Sequence, residues 1–166
     1  MLTLAITPIL TLCAATLVAG VALVLSFVRG VPAALCAYLA MVISHFSGLT
    51  VYDGQVFVFW GVAAAIVTAI CVVTRGDATP AYARPVQAYM AGGALVGAAI
   101  GLALTTMAAV IVASAVGAFL GLEAFRRTPR GRECVSLKPL DVMAATGLPL
   151  VINDSIIMLI LSQLLS

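Results

Sequence analysis

The chain has 166 residues, of which 64% are hydrophobic and 8% are charged. An ordinary soluble domain carries about 25% charged residues, so this composition excludes a soluble globular domain and indicates an integral membrane protein. The formal net charge of +2 is too small to indicate a nucleic-acid partner. We predict a single all-α membrane domain, a polytopic protein with about six transmembrane helices.

The first predicted span covers residues 2–28, which are apolar throughout and are followed by Arg29. A secretory signal peptide would begin with a positively charged segment, and this stretch has none. We therefore interpret it as a transmembrane helix.

The second and third predicted spans cover residues 32–49 and 56–73. Pro32 suits the first turn of a helix, where its missing N–H has no partner to lose, and Asp53-Gly54 is the predicted turn between the two spans. Aromatic residues cluster around that turn, as they do at a membrane–water boundary: Phe46, Tyr52, Phe57, Phe59 and Trp60.

A glycine-rich segment without any charge extends from residue 85 to residue 122. Small residues recur at every fourth position, a pattern that lets helix backbones approach closely inside lipid: Gly93, Gly97, Gly101, Ala113, Gly117 and Gly121. At about 1.5 Å per residue, one helix would far exceed the roughly 30 Å hydrocarbon core. We predict a hairpin cut near Thr105-Thr106, with spans at 86–104 and 107–125; a re-entrant loop or one tilted helix is the alternative.

A basic cluster follows the hairpin and contains Arg126, Arg127, Arg130 and Arg132. It has two interpretations, which the sequence leaves open. It binds anionic lipid headgroups, or it serves only to orient the chain in the membrane. The last predicted span covers residues 142–165 and is broken early by Gly147 and Pro149.

The distribution of basic residues predicts the topology. With six spans, all Lys and Arg lie in loops on one side of the membrane: Arg29, Arg75, Arg84, Arg126, Arg127, Arg130, Arg132 and Lys138. This matches the positive-inside rule and predicts cytoplasmic basic loops with both termini outside. If residues 85–122 crossed only once, Arg75 and Arg84 would lie opposite the later cluster.

Two polar positions lie within the predicted spans. Asp154, with Asn153 beside it, falls near the middle of the last span, where an ionised carboxylate is costly. It is either a proton- or cation-binding group or a neutral carboxyl that bonds Asn153, Ser155 or a backbone carbonyl. His45, the chain's one histidine, either pairs with Asp154 in a proton relay or, as we favour, makes a structural hydrogen bond to Ser44, Ser47 or a carbonyl.

No motif for catalysis or for metal binding is found. The four cysteines, at positions 13, 36, 71 and 134, include no CxxC pair and have no nearby histidine. The first three lie in apolar runs and are expected to be buried apolar residues rather than metal ligands or disulfides. We expect no metal, no cofactor and no catalytic residue, and hence a protein that is not an enzyme.

The order of three spans, a glycine-rich hairpin, a basic loop and a final helix resembles the bacterial domain-of-unknown-function 456 family of small glycine-zipper membrane proteins. The likeness is carried by Gly-Gly-Ala-Leu-Val-Gly at residues 92–97 and Val-Gly-Ala-Phe-Leu-Gly at residues 116–121. The chain departs from the family before its second span, where Arg29-Gly30-Val31-Pro32 replaces a Leu-Pro-Gly pattern. The resemblance implies the architecture and a bacterial inner-membrane location, and the family brings no established activity.

Two functions fit these observations. The favoured hypothesis is a structural or accessory protein that self-associates, or docks another membrane protein, through its glycine faces. The alternative is a small oligomeric transporter or channel for protons, ions or small solutes, with Asp154 and His45 lining a polar path. In both cases the expected partners are membrane lipids and either further copies of the chain or another membrane protein.

Overall fold

The computed structural model describes residues 2–27, 33–48, 50–74, 83–104, 106–133 and 139–165. These residues form helices joined by short turns and contain no strand, which confirms the all-α polytopic fold. The elements are α1 (Leu2–Leu25), α2 (Ala33–Phe46), α3 (Gly54–Thr74), α4 (Ala83–Ala103), α5 (Met107–Arg126), α6 (Pro129–Glu133), α7 (Pro139–Val142), a π-helical turn (Met143–Gly147) and α8 (Leu148–Leu165).

Five helical stretches of the described chain are long and apolar enough to cross a membrane: Pro8–Leu25, Gly54–Val73, Arg84–Ala103, Met107–Arg126 and Pro139–Gln163. The second predicted span is shorter than expected, because α2 has only 14 residues, about 21 Å of helix. Its end is set by Gly48, whose φ of 72° lies in the left-handed region that favours glycine. The N–H groups of Ser47 and Gly48 close the last turn on the carbonyls of Ser44 and His45.

The glycine-rich segment forms two helices, α4 and α5, rather than one tilted helix. Thr106 is the N-cap of α5: it has an extended backbone (φ −115°), and its Oγ1 accepts a hydrogen bond from the N–H of Ala109 at 3.2 Å. A threonine cap satisfies a helix-terminal N–H that would otherwise lack a partner. The predicted cut therefore lies at a capped helix start, although Thr105 itself is outside the described residues.

The last span is continuous where the sequence predicted a break. At the π-helical turn the N–H of Leu148 donates to the carbonyl of Met143, five residues back. Pro149 then follows at the second position of α8. Proline has no N–H to donate, and its ring disturbs the hydrogen bonds of the preceding turn. The π-helical turn changes the hydrogen-bond register just before Pro149, and the helix continues through this position.

Helix α8 is the central element of the bundle and contacts each of α1 to α5. It contributes to both large core clusters. The α2 cluster consists of Ala22, Ala37, Ala40, Met41, Tyr52, Trp60, Ile156, Ile157, Leu159 and Ile160. The hairpin cluster consists of Val86, Met90, Ala91, Ala94, Ala118, Leu122, Phe125, Leu150 and Val151. Asp154 lies on α8 between the residues that belong to these two clusters.

Candidate functional site

The glycines of α4 and α5 lie at a crossing between these two helices. A Cβ placed on Gly97 would overlap the carbonyl oxygen of Ala113, and one placed on Gly121 would overlap the carbonyl oxygen of Tyr89. At Gly101 an added Cβ would lie 2.6 Å from the carbonyl oxygen of Ala109. Only a residue without a side chain fits at these positions.

The pairs also define the direction of the two helices. Gly93 faces Gly117, Gly97 faces Ala113, and Gly101 faces Ala109. Each step of one turn forward along α4 is thus matched by one turn backward along α5, so the helices are antiparallel. The five glycines predicted to pack helices together all lie in this contact within a single chain.

The antiparallel packing also places the charged ends of the hairpin. Arg84, at the start of α4, and Arg126, at the end of α5, lie at the same end. The six-span topology needs Arg84 and Arg126 on the same side of the membrane. Which side that is stays a prediction. Arg29, Arg75 and Lys138 lie outside the described residues.

The outer side of the α4–α5 crossing forms an apolar groove with a volume of about 520 Å³. Its floor is the glycine backbone, and its walls carry Val96, Ile100, Val116 and Leu120, each 52–62% exposed. No charged residue lines it: the lining consists of Tyr89, Gly92, Gly93, Val96, Gly97, Ile100, Ala113, Val116, Gly117, Leu120, Gly121 and Ala124.

Three consecutive polar residues of α8 are fully buried: Asn153, Asp154 and Ser155 each have 0% exposure. The amide of Asn153 donates to Oδ1 of Asp154 at 3.3 Å and to the carbonyl of Ala22 on α1 at 3.5 Å. Within the described chain, Asp154 Oδ2, Asn153 Oδ1 and Ser155 Oγ have no hydrogen-bond partner. The segment is buried on all sides because α8 is surrounded by the other helices.

Apart from the hydrogen bond between Asn153 and Asp154, these three side chains leave the helix in different directions. Consecutive residues of a helix point about 100° apart, since a turn takes about 3.6 residues, so each faces a different part of the bundle. The site therefore offers one carboxyl group with an amide beside it, and not the closed set of oxygen ligands that a metal cation needs.

Ser114 on α5 is a further buried polar residue, which the sequence reading missed. It has 0% exposure, and its Oγ has no partner among the described residues. Ile111, one turn before it, packs against both core clusters, and Ala118, one turn after it, belongs to the hairpin cluster. Ser114 therefore lies on the face of α5 that is turned toward the core of the bundle.

Gln87 is a second polar residue that the sequence reading missed. Its amide donates to the carbonyl of Ser26 at 2.7 Å and so ties the start of α4 to the end of α1. For both Ser114 and Gln87, the sequence feature that could have identified them is a single polar residue within an apolar helix. Such a residue usually has a buried partner or a specific role.

His45 lies apart from this buried polar segment. Its Nδ1 accepts a hydrogen bond from the N–H of Tyr52 at 3.4 Å, and its ring packs edge-on against Phe57 at 4.9 Å. The structural hydrogen bond is thus made with a backbone N–H rather than with Ser44, Ser47 or a carbonyl. The structure does not bring His45 and Asp154 into contact: the ring contacts of His45 are to aromatic residues, and the side-chain partner of Asp154 is Asn153.

The basic cluster follows α5 on an ordered turn. Arg126 forms an ion pair with Glu123 at 2.6 Å. Thr128 Oγ1 accepts from the N–H of Gly131 at 3.1 Å and donates to the carbonyl of Phe125 at 2.6 Å, which fixes α6 against the end of α5. Arg127, Arg130 and Arg132 are exposed at this end of the hairpin.

No group of three His, Cys, Asp or Glu residues that could hold a metal ion occurs in the described chain. Cys13, Cys36 and Cys71 are free thiols, and Cys134 lies outside the described residues. Cys71 is buried as predicted and Cys36 is partly buried, but the prediction is wrong for Cys13, which is exposed on the surface of α1. Comparisons with protein-family models, with curated proteins and with solved structures find no match to this chain. The resemblance to the domain-of-unknown-function 456 family stays a prediction.

Proposed function

We propose that the protein is a small membrane transporter or channel in which Asp154 takes up a proton and releases it. The observation that carries this proposal is the position of Asp154 at the centre of the bundle, with 0% exposure and with Oδ2 lacking a hydrogen-bond partner among the described residues. A carboxyl inside a membrane bundle faces the interior or a path, and such residues commonly belong to proton relays.

The cost of this arrangement supports a functional role. A buried polar atom without a hydrogen bond costs about 1–3 kcal/mol, and Asp154, Asn153, Ser155 and Ser114 contribute one such atom each. A helix whose only role was to fill the bundle would be more stable with apolar side chains at these positions.

The glycine faces lend less support to a docking role than the sequence alone suggested. Gly93, Gly97, Gly101, Gly117 and Gly121 pack against backbone of the same chain, so their spacing needs no partner helix to explain it. The accessory-protein hypothesis then depends on the outer groove alone. Nothing in the shape of this groove requires that a partner helix fill it.

A proton fits the site better than a metal cation. Asp154 has one carboxyl, and its neighbours on α8 diverge around the helix. The apolar surroundings penalise the charged form of an unpaired carboxyl, and binding a proton at Oδ2 removes that charge without a second ligand. In this mechanism the O–H bond forms with a proton from one side and breaks to release it to the other.

Proton flux into proteoliposomes tests the proposal. The parent, reconstituted with a pH-sensitive dye inside and a potassium-diffusion potential across the membrane, is expected to carry protons inward. Asp154→Asn is expected to abolish the flux. Asp141→Asn is the matched control, because Asp141 is an exposed carboxylate at the start of the same membrane stretch, and it is expected to retain the flux.

Two results would overturn the proposal: no proton flux in the parent, or an undiminished flux in Asp154→Asn. If Asp154→Asn fails to fold, a lipid-soluble carbodiimide replaces it, since this reagent forms adducts with protonated carboxyl groups. Mass spectrometry is then expected to find the adduct on Asp154 together with loss of flux, and flux that survives the adduct would contradict the role.

We further propose a bacterial inner-membrane location with the Arg84 and Arg126 end in the cytoplasm. The support is the clustering of basic residues at the ends that would share one side of the membrane. Assembly into an oligomer, predicted from the sequence, remains part of the proposal.

A further inference from the structure

We propose that the outer groove of α4 and α5 binds an anionic phospholipid, with one acyl chain in the groove and the phosphate at Arg127. The site is separate from Asp154, and the proposal does not depend on proton transfer. It commits to a membrane lipid as the occupant, with a second copy of the chain and a partner helix as competing outcomes.

The shape of the groove suits a flexible hydrocarbon chain. Backbone at Gly93, Gly97 and Gly117 forms a floor without side chains, between walls that carry exposed Val96 and Leu120. The groove has a volume of about 520 Å³, is lined by apolar residues along its length and is open on its outer side. Such a surface offers dispersion contacts on several sides and no polar group that would need a hydrogen bond.

Charged residues lie beyond only one end of the groove, where Glu123, Arg126 and Arg127 adjoin the end of the α5 wall. The α5 wall follows helical spacing through Leu120 and Ala124, and the next position on that face, three residues on, is Arg127, which is exposed. The far end of the groove, at Ile100 and Ala113, adjoins the uncharged turn between α4 and α5. Glu123 pairs with Arg126, which leaves Arg127 as the unneutralised charge nearest the groove. The groove thus passes from a basic end to an apolar end, the same order as in an anionic phospholipid.

Tyr89 marks the polar boundary on the opposite wall. It lies at the same end as Arg127, since Tyr89 faces Gly121 across the crossing. Its side chain is 44% exposed, and its ring packs edge-on against Phe125 at 5.7 Å. Tyrosine is enriched at the depth of lipid headgroups because its ring is apolar and its hydroxyl is polar.

A second copy of the chain is a poorer occupant than a lipid. Two copies with the same topology would be related by an axis along the membrane normal, and a two-fold contact uses the same patch on both. Groove-to-groove pairing would therefore bring the two Arg127 side chains to the same end of the contact, where like charges repel. An anionic phosphate at that position is attracted instead.

Native mass spectrometry of the full chain in detergent tests the proposal, with phosphatidylglycerol and phosphatidylcholine of identical acyl chains as probes. The parent is expected to retain phosphatidylglycerol preferentially. Arg127→Gln is expected to lower the preference by about fivefold, the factor that one basic residue near an anionic surface provides. Arg132→Gln, which changes an exposed arginine on α6 rather than on the α5 wall of the groove, is the matched control and is expected to keep the preference.

A second variant tests the apolar part of the site. A Cβ on Gly92, which lines the groove, would meet nothing within 4 Å, so Gly92→Leu fills the groove while leaving the crossing intact. It is expected to reduce retention of both lipids, whereas Gly20→Leu, at an equally open position on α1, is expected to retain them. Unchanged retention in Gly92→Leu, or unchanged preference in Arg127→Gln, would overturn the proposal. Loss of a dimer in Gly92→Leu, with lipid retention unaltered, would assign the groove to a second copy instead.

Discussion

Gly93 and Gly117 lie face to face across the α4–α5 crossing, and each occupies the space that a side chain on the other would need. A Cβ on Gly93 would overlap the carbonyl oxygen of Gly117, and a Cβ on Gly117 would overlap that of Gly93. The obstacle is backbone on both sides, so no rotamer change relieves it. Close backbone packing is one of the main attractions between helices in lipid, and this pair is part of that contact.

Substitution of Gly97 is therefore expected to destabilise the fold. In Gly97→Ala the new Cβ meets backbone of Ala113 and Ser114, and we expect a loss of about 1–3 kcal/mol from overpacking; Gly97→Leu is expected to separate the helices. Thermal unfolding in detergent measures the effect. Gly92→Ala, at a position with open space, is the control and is expected to stabilise by roughly 0.5–1 kcal/mol, as alanine does in helices. Equal melting of the Gly97 and Gly92 variants would contradict the packing role.

The hydrogen bond from Gln87 to the carbonyl of Ser26 predicts a second stability effect. Gln87→Leu removes the donor and leaves a buried carbonyl without that partner, which is expected to cost about 1–3 kcal/mol. Unfolding midpoints in detergent are the measurement. Gln55→Leu makes the same change at an exposed position of α3, and it is expected to leave the midpoint nearly unchanged. A Gln87 variant as stable as the Gln55 variant would show that the tie between α1 and α4 is dispensable.

His45 is expected to matter for stability but not for proton flux. His45→Leu leaves the N–H of Tyr52 without its acceptor, at an expected cost of about 1 kcal/mol, while Asp154 and its neighbours on α8 are untouched. Proteoliposomes containing this variant are expected to carry protons at the parental rate. A stably folded His45 variant that had lost its flux would instead place His45 in the path.

The proposed topology predicts which positions an impermeant thiol reagent reaches in intact cells. In a background without native cysteines, a single cysteine at Asp53 or Ser166 is expected to react from outside, whereas one at Arg75, Arg84 or Arg126 is expected to be protected. Labelling is read by gel shift before and after the cells are opened. External labelling at position 75 with protection at 126 would contradict the antiparallel crossing of α4 and α5 through the membrane.

Hydropathy and residue spacing in the sequence determined the membrane class, the all-α fold and the division of residues 85–122 into two helices. These properties depend on local segments: an apolar helix is recognised from its own residues, and a stretch longer than the bilayer must turn. Even so, predictions made from local sequence were wrong about where two helices end. They extended the second span past Gly48 and placed a break at Pro149, where a π-helical turn lets the helix continue.

Only the tertiary structure decided what each helix face contacts. The glycine spacing of α4 predicts a close neighbour but does not say whether it belongs to the same chain, and the structure places α5 there. Likewise, Asp154 and His45 both lie within apolar stretches, yet one is enclosed at the centre of the bundle and the other is held by Tyr52 and Phe57. The physical reason is that burial of a side chain is set by the helices around it, and their arrangement depends on packing between segments that lie far apart in the chain.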